Sequence, residues 1–415
     1  MTGIFVLSFL VTAAVAQESM PAPGSKITPA NWRQYRQYMP EGMQALFAGG
    51  HFWKLPSSAE MVIGPPSGVE FPRSYSTATE KYKGQVRLVR QPEGGFEISG
   101  YVAGQPFPDA AEPNQGIKIL YNYWYHYLPA IVYTPIIKGW AIDRYGNVST
   151  TQSIEVWNRY LHLSDPAPVP RPNDTMGEFE TEYAEQFFPE QAKYTSFIQI
   201  LYDDIARPQE EYVFLPSLRR SLRLSAAARC SPLLGTDYTP DDTYGGFFGR
   251  PTTFQVKYLG DAKVLTFVPK ASTNLLQTAN YDMPVFWPHP VLGSWTLRDA
   301  FVLDIRKLPA FAAGYCYGKR IMYIDTQTHY ALWVDTYDSS LKLWKSFPLA
   351  YFPVRVPGGG TAYDPAGGWF PIWDFQNLHL SGIAGFGSVF NTDAPAKFRD
   401  FQRYGTPSGL LQVMQ

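Results

Sequence analysis

Large apolar residues recur at helical spacing in two segments of the N-terminal third. In residues 28–48 they follow one another at steps of three and four, which predicts a helix. Pro40-Glu41-Gly42 is expected to break it into two short helices. Residues 114–127 carry a second stripe of this kind, and residues 51–84 are predicted to be irregular or extended. The stripe residues are Trp32, Tyr35, Met39 and Met43, then Ile117, Leu120, Tyr121 and Trp124.

Beyond residue 130 the chain changes to short alternating segments separated by turn residues, which is the pattern of antiparallel strands. Three hairpins and four further strands are predicted, after an earlier strand at 96–102. The hairpins pair 139–144 with 148–163, 196–206 with 210–224, and 252–259 with 263–269 across Gly260-Asp261; the further strands are 299–307, 318–325, 330–337 and 342–347. We therefore expect a mostly β fold built on one long antiparallel sheet.

The predicted strand 210–224 is apolar on one face and polar or cationic on the other. Its apolar face comprises Tyr212, Phe214, Pro216, Leu218, Leu222 and Leu224, interrupted only by Arg220. Such alternation is expected for a sheet curved around an apolar interior, and equally for the core of an ordinary β-sandwich. Periodicity alone does not separate the two.

The composition combines many aromatic residues with little charge. Aromatic residues make up 16% of the chain and charged residues 17%, against roughly 25% charged residues in typical soluble domains. The 35 Lys and Arg nearly balance the 36 Asp and Glu, so nothing resembles a nucleic-acid-binding footprint. This excess of aromatic residues indicates either a large β core or an apolar concave surface.

Residues 1–16 have the features of a secretory signal peptide. The apolar run that begins at Ile4 ends in Ala14-Val15-Ala16, a cleavage pattern, although Met1-Thr2-Gly3 lacks the usual basic residue. An ordinary buried helix is the alternative. No cysteine follows the run, which argues against a lipid anchor, and no other apolar run approaches the ~20 residues of a membrane helix. We expect cleavage after Ala16 and export to the periplasm.

The mature residues 17–415 are expected to form a single domain whose N-terminal part, about 28–127, is helical and irregular. The proline-rich stretch 164–172 has the composition of a polyproline spacer and could divide the chain. Strands of one type are predicted on both sides of it, so we favour one long sheet.

The chain has two cysteines, Cys230 and Cys316. An even number of cysteines in an exported protein favours a disulfide, with two buried free thiols as the alternative. In the chain-entropy model an unstrained bridge between them contributes about 4 kcal/mol to stability.

No motif for enzymatic chemistry is present, so no catalytic residue and no cofactor are predicted. The six histidines lack the spacing of a zinc site, and the chain contains neither a G-x-S-x-G elbow nor a phosphate-binding loop. Asp325 with His329, and Asp374 with His379, could form acid–base pairs. Aspartate and histidine beside a β-turn are more often turn residues, which is the interpretation that we favour.

One acidic cluster, Asp241-Asp242 near Asp237, could bind calcium. The chain then continues as Thr-Tyr-Gly-Gly without further oxygen ligands. We therefore predict a solvated turn there and no metal site.

Aromatic and apolar residues on the predicted elements are candidates for lining a hydrophobic ligand site, although each taken singly more often belongs to a plain core. Arg219 or Arg220 at the rim could meet an anionic headgroup, but we favour a solvated or structurally paired arginine. The candidate lining residues are Phe107, Trp124, Tyr212, Phe214, Leu218, Trp333 and Trp344.

Five segments in order resemble an uncharacterised family of exported Gram-negative proteins that are described as similar to outer-membrane lipoprotein-sorting proteins. The resemblance spans roughly residues 30–390. The matching segments are Gly104-Gln105-Pro106-Phe107-Pro108; Phe214-Leu215-Pro216-Ser217-Leu218-Arg219-Arg220; Asp241-Asp242 with Gly246-Phe247 and Gly249; Tyr323-Ile324-Asp325; and Tyr337-Asp338 with Leu343-Trp344.

This resemblance implies a LolA/LolB-like fold, in which a long antiparallel sheet curls into an incomplete barrel with a few helices covering its concave face. It also implies a periplasmic protein that handles a lipid-like molecule beside an inner-membrane transporter of the resistance-nodulation-division type or an outer-membrane protein. We therefore expect a carrier of a hydrophobic ligand. An exported hydrolase of hydrophobic esters and a non-catalytic envelope scaffold are the alternatives.

Overall fold

A computed structural model describes residues 20–50, 52–165, 177–204, 207–224, 229–271 and 273–413. The predicted signal peptide 1–16 and most of the proline-rich stretch 164–172 lie outside the described residues.

Three α-helices of eight or more residues occur in the described ranges: α1 (Glu41–Ala48), α2 (Arg73–Tyr82) and α3 (Gln115–Trp124). A 3-10 helix, Trp32–Tyr38, precedes α1, so the two short helices expected in residues 28–48 are confirmed. The prediction of irregular structure for residues 51–84 is wrong where α2 forms. None of the helices in these ranges is long and apolar enough to span a membrane.

Most other elements are strands. In chain order they are β1 (Lys26–Ile27), β2 (Met61–Val62), β3 (Arg87–Arg90), β4 (Phe96–Ser99), β5 (Ile131–Ile142), β6 (Val148–Arg159), β7 (Glu178–Phe188), β8 (Ser196–Tyr202), β9 (Glu210–Leu215), β10 (Arg220–Arg223), β11 (Phe254–Pro269), β12 (Tyr281–Asp282), β13 (Trp287–Pro288), β14 (Gly293–Lys307), β15 (Lys319–Asp325), β16 (Ala331–Tyr337), β17 (Leu343–Pro348), β18 (Ala350–Arg355), β19 (Thr361–Asp374), β20 (His379–Phe386) and β21 (Val389–Phe390).

Fifteen of the strands in the described chain form one antiparallel sheet. Its order is β10-β9-β8-β7-β6-β5-β20-β19-β17-β16-β15-β14-β11, with β18 paired to β19 and β21 paired to β5. The sheet has two open edges, β10 and β11, and so does not close. The predicted class, mostly β with one long antiparallel sheet, is confirmed. Strands on both sides of the proline-rich stretch belong to this sheet.

One predicted hairpin is absent, because residues 254–269 form a single strand. Strand β11 pairs with β14 along its whole length, and the pairing register shifts between Tyr258 and Gly260. Gly260 has a φ of 120°. The glycine therefore marks a β-bulge, where an extra residue bends the strand without reversing it. The turn predicted at Gly260-Asp261 is wrong.

The predicted strand 210–224 is also wrong, because the chain reverses within it. Strand β10 folds back on β9, so that Ser221 lies opposite Phe214 and Arg223 opposite Tyr212. Pro216 and Ser217 belong to the turn, since proline lacks the N–H that a strand interior needs. The single apolar face expected over 210–224 therefore does not exist.

Both faces of the sheet are covered. We call the side that carries Val334 and Phe370 the front face, and the side that carries Trp333 and Trp369 the back face. Helix α3 packs into the front-face cluster, whereas α1 packs into the back-face cluster. The family resemblance implied helices that cover one concave face. The helices at 28–48 and 114–127 lie on opposite faces instead, so they do not cover one common cavity. Alternate strand residues point to opposite faces, so each face presents an apolar surface that needs its own cover.

The sheet is strongly curved around the back-face cluster. Strand β11, at one edge, approaches β18 near the middle of the sheet. The rings of Phe267 on β11 and Trp369 on β19, the strand paired with β18, are 5.6 Å apart between centroids. Burying large rings on the inner side of the bend stabilises the curvature.

A C-terminal segment, residues 396–413, covers the back of strands β6 to β9. Leu410 and Phe398 pack there with Phe214 and Tyr183 in a separate cluster. This segment occupies the surface to which the sequence analysis assigned a ligand.

Candidate functional site

A cleft of about 360 Å³ lies on the front face of the sheet. Its floor is formed by β5, β6, β7, β20 and parts of β8 and β19. Its opposite wall is residues 233–246, which we call the cover segment. The cleft therefore lies between a rigid sheet and a loop-rich segment, an arrangement that is common in ligand sites.

The cover segment is attached to β20 through Asp237. His379 Nδ1 lies 2.7 Å from Asp237 Oδ2, and Ser381 Oγ donates to the same oxygen at 2.8 Å. The backbone N–H of Asp237 donates to Ser381 Oγ at 2.8 Å. The hydrogen bond to Asp237 raises the pKa of His379 above its ordinary value. We call this group of contacts the Asp237 latch.

A second attachment is a buried ion-pair network under the acidic turn. Arg320 Nη2 donates to Asp242 Oδ1 at 2.7 Å, and the Tyr317 hydroxyl donates to Asp242 Oδ2 at 2.7 Å. Arg229 pairs with Asp241. Both aspartates are at most 1% exposed. The solvated turn predicted for them is therefore wrong, because these cations and the Tyr317 hydroxyl compensate the cost of burying the carboxylates.

Aromatic rings form much of the cleft wall. Trp157, Phe197 and Phe370 lie on the sheet, and Tyr244 comes from the cover segment. The rings of Trp157 and Tyr244 are stacked, with centroids 6.3 Å apart. Such a wall offers an apolar body both dispersion contacts and a π surface.

Two half-buried carboxyl groups, Glu155 and Glu182, lie among these apolar walls. Glu155 pairs with Ala184 on β7, and Glu182 pairs with Trp157 on β6, so the two glutamates are diagonal neighbours on one face. Burial raises the pKa of Glu155 to about 7, although the Trp157 indole N–H donates to it. Burial and the nearby Glu155 charge raise the pKa of Glu182 well above its usual range.

Polar side chains continue from Glu182 across the next two strands, β8 and β9, leading away from the cleft. Gln199 on β8 lies directly between Glu182 and Glu211 in the pairing register. Gln199 is 0% exposed, and its Oε1 atom has no hydrogen-bond partner among the described residues. Arg159, which lies on the same face, is paired with Glu180 at 2.7 Å.

Neither acid–base pair considered from the sequence forms. Asp325 receives two hydrogen bonds from Arg298, and His379 pairs with Asp237 rather than with Asp374. Ser381 and His379 donate to the same oxygen of Asp237, whereas nucleophilic catalysis requires the histidine to accept the serine proton. The cluster therefore attaches the cover segment and does not have the geometry of a triad.

A wider and more polar depression of about 500 Å³ lies elsewhere on the surface, around His329, Gln105 and Asn122. The Nε2 atom of His329 lies 3.2 Å from the Gln105 amide nitrogen. Burial lowers the pKa of His329 to about 4, so this ring is neutral at pH 7. In the described ranges, no group of three or more His, Cys, Asp or Glu is placed to hold a metal ion.

The residues predicted to bind a ligand are not brought together. Trp124 is on the front face, where it contacts Tyr244 behind the cleft wall. Phe107 packs against the front-face cluster, held by two backbone hydrogen bonds to Asn122. Trp333 is buried on the back face, and its indole N–H is shared between Asp335 and Ser346.

The remaining candidates lie far from the cleft. Tyr212 and Phe214 pack under the C-terminal segment, on the opposite face of the sheet. Leu218, Arg219 and Arg220 are exposed in or beside the turn that joins β9 to β10. Trp344 is half-buried and donates its indole N–H to Asp374 at 3.0 Å. Cys230 and Cys316 form the predicted disulfide.

The two glutamates of the cleft were not identified from the sequence, although a signal was present. Strand β6 carries small or polar residues at alternate positions 149, 151 and 153, followed by Glu155 and Trp157. A carboxylate on the same face as a tryptophan, inside a strand, is uncommon on a plain core face.

Comparisons with known proteins give a family match and several similar folds. The sequence model of the family described as "Protein of unknown function (DUF1329)" matches residues 26–371, more than half of the chain. No curated protein matches the sequence.

Three crystal structures are among the similar ones. A "putative outer membrane lipoprotein-sorting protein domain" from Vibrio parahaemolyticus is 13% identical, with a TM-score of 0.48, over 69% of this chain and 97% of that one. A DUF1329 family protein from Desulfovibrio piger is 11% identical, with a TM-score of 0.49, over 70% and 98%. A LolA superfamily protein from Nitrosomonas europaea is 11% identical, with a TM-score of 0.37, over 70% and 98%.

Proposed function

The chain belongs to the DUF1329 family, and we propose that it is a periplasmic carrier that binds a hydrophobic ligand in the front-face cleft. The cleft is the observation that supports this proposal. It is large enough for an acyl chain or a small polycyclic body, and it is lined mainly by apolar and aromatic side chains. Each Å² of apolar ligand surface buried there contributes roughly 25 cal/mol.

The cover segment closes the cleft opposite the sheet. Asp237 and Asp242 attach it to strands of the same sheet that forms the cleft floor, the Tyr238 hydroxyl donates to the Phe370 carbonyl, and Tyr244 is buried in the front-face cluster. An apolar ligand between these two walls would be shielded from water, as a carrier requires. An ester hydrolase would need a nucleophile and a base within hydrogen-bond reach, which Ser381 and His379 do not provide.

Binding is tested with N-phenyl-1-naphthylamine, a neutral apolar dye whose emission rises in a dry site. We expect saturable binding to the purified mature chain. Thr151→Trp should fill much of the cleft and abolish dye binding, because Thr151 lines it. Thr150→Trp is the matched control, since the neighbouring residue of β6 points to the opposite face. Equal binding by both variants, or no binding by the parent protein, would overturn the carrier proposal.

Periplasmic location is tested by fractionating cells and measuring the mass of the released protein. We expect an N-terminus at Gln17, as cleavage after Ala16 requires. Full-length protein with Met1 in the cytosolic fraction would refute this location. An inner-membrane transporter of the resistance-nodulation-division type, or an outer-membrane protein, is the partner that the family resemblance implies, and cross-linking in intact cells followed by mass spectrometry tests it.

A further inference from the structure

Glu155 and Glu182 are two carboxyl groups on the floor of the cleft that lack a cationic partner in the described chain. Glu155 accepts one hydrogen bond, from the Trp157 indole. In the described chain, the Glu182 side chain makes no hydrogen bond or ion pair. Arg159, the nearby cation, is paired with Glu180. Burying their charge without a cation is costly, so the pKa of both groups is raised and the empty cleft favours their neutral form.

A second observation is independent of these carboxyl groups. Tyr351 lines the cleft and is only 4% exposed, yet its hydroxyl has no hydrogen-bond partner in the described structure. A Cβ atom on Gly245 of the cover segment would lie 3.1 Å from this hydroxyl. Buried hydroxyl groups are normally paired, so an unpaired one in a cavity wall indicates a missing partner.

The carboxyl oxygens of Glu155 and Glu182, with the unpaired Tyr351 hydroxyl elsewhere on the cleft wall, indicate a ligand that donates hydrogen bonds. A protonated amine donates up to three and also supplies the missing positive charge.

We propose that the cleft selects an amphiphilic amine, whose ammonium group lies between Glu155 and Glu182 and whose apolar body packs on the aromatic wall. The proposal rests on the carrier function above and names its ligand class. Trp157, which donates to Glu155 and lies opposite Glu182 in the strand pairing, places an aromatic ring beside the same group. A bound ammonium group would favour the ionised form of both glutamates, whereas an anionic headgroup would make their ionisation more costly. The proposed headgroup is therefore the opposite of the anionic one considered for Arg219 and Arg220 from the sequence.

The test compares three ligands with one apolar body: decylamine, decanol and decanoate, each displacing N-phenyl-1-naphthylamine at pH 7. We expect decylamine to bind about tenfold more tightly than decanol, the effect of one charge-assisted hydrogen bond, and decanoate to bind most weakly. Glu182→Gln should remove most of the preference for the amine and leave decanol binding unchanged. The variant is isosteric and replaces a half-buried carboxyl group that makes no ion pair in the described chain, so it should fold.

Glu190→Gln is the matched control. It removes the same charge from the turn after β7, where the side chain is 80% exposed, and it should keep the full preference for decylamine. If the dye binds and the three ligands displace it equally, or if decanoate is preferred, the amine proposal fails and the carrier proposal stands. If neither the dye nor any of the three ligands binds, the carrier proposal fails with it.

Discussion

Nδ1 of His379 lies 2.7 Å from Oδ2 of Asp237, and this contact joins the cover segment to strand β20 of the cleft floor. The two residues are far apart in the sequence and belong to different walls of the cleft. A titratable histidine therefore connects the cover segment to the floor of the cleft.

The Asp237 latch predicts a pH dependence of stability. The folded-state pKa of His379 is above its ordinary value of 6.5, chiefly because of the hydrogen bond to Asp237. The stabilisation is therefore fully present below the unfolded pKa and is lost as the pH rises through the folded pKa. The difference in Tm between the parent and His379→Gln should shrink as the pH is raised from about 6 to 9.

The other charged groups that act on His379, Asp374 and Asp143, are both acidic, so they favour the protonated ring and do not change the sign. Asp237→Asn should remove the same pH-dependent difference. A difference between parent and His379→Gln that is constant over this pH range would contradict the prediction.

The buried pair Arg320–Asp242 should be essential for stability. Asp242→Ala would leave Arg320, which is 2% exposed, without its carboxylate. Breaking a buried pair in this way costs about 3–5 kcal/mol. Urea unfolding followed by tryptophan fluorescence measures the change. Asp109→Ala, which removes an 84% exposed carboxylate, should stay within about 0.5 kcal/mol of the parent.

The disulfide should stabilise the fold measurably. Cys230 and Cys316 are 86 positions apart, with a Cα–Cα distance of 5.5 Å. Constraining an unfolded chain over a loop of this length contributes about 4 kcal/mol in the chain-entropy model. Non-reducing peptide mapping should recover the linked peptides, and the double variant Cys230→Ser/Cys316→Ser should unfold at lower urea concentration. Two thiols that are alkylated in the native, unreduced protein would disprove the bridge.

Truncating two apolar residues of the segment that was predicted as one strand should have different effects on the free energy of unfolding. Phe214 is 3% exposed under the C-terminal segment, whereas Leu218 is 53% exposed in the turn. Phe214→Ala should therefore cost about 3–5 kcal/mol of unfolding free energy, and Leu218→Ala less than about 0.5 kcal/mol. Dye affinity should be unchanged in both folded variants, because neither side chain faces the cleft. Weaker dye binding by folded Phe214→Ala would contradict the placement of the site.

The sequence predicted strands well where each strand ends at a short polar turn. The hairpin of β5 and β6 across Tyr145-Gly146-Asn147 and the series β14 to β17 are correct, although β5 and β14 begin earlier than predicted. The sequence-based prediction failed where a glycine or a proline is compatible with two different backbone structures. Gly260 bends a strand and does not reverse it, while Pro216 begins a turn inside what appears to be a continuous alternating pattern.

Burial of the acidic turn could not be predicted from local sequence either. Asp241 and Asp242 are followed by glycines, as in a solvated turn, but their partners Arg229 and Arg320 come from elsewhere in the chain. Whether a carboxylate is exposed or paired depends on which cation the fold brings to it.

The sequence by itself determined the mostly β class and the two short N-terminal helices, because hydrophobic periodicity is a local property of the chain. With two cysteines it also limited any bridge to Cys230 and Cys316. It also carried the family resemblance. Tertiary structure alone decided which face each apolar stripe covers and where the cleft lies. Alternation places neighbouring residues on opposite faces but does not specify what packs against either face. Glu155, Glu182 and Tyr351 lie on three different strands, and only the pairing and curvature of the sheet, with the cover segment placed over it, bring them to one cavity.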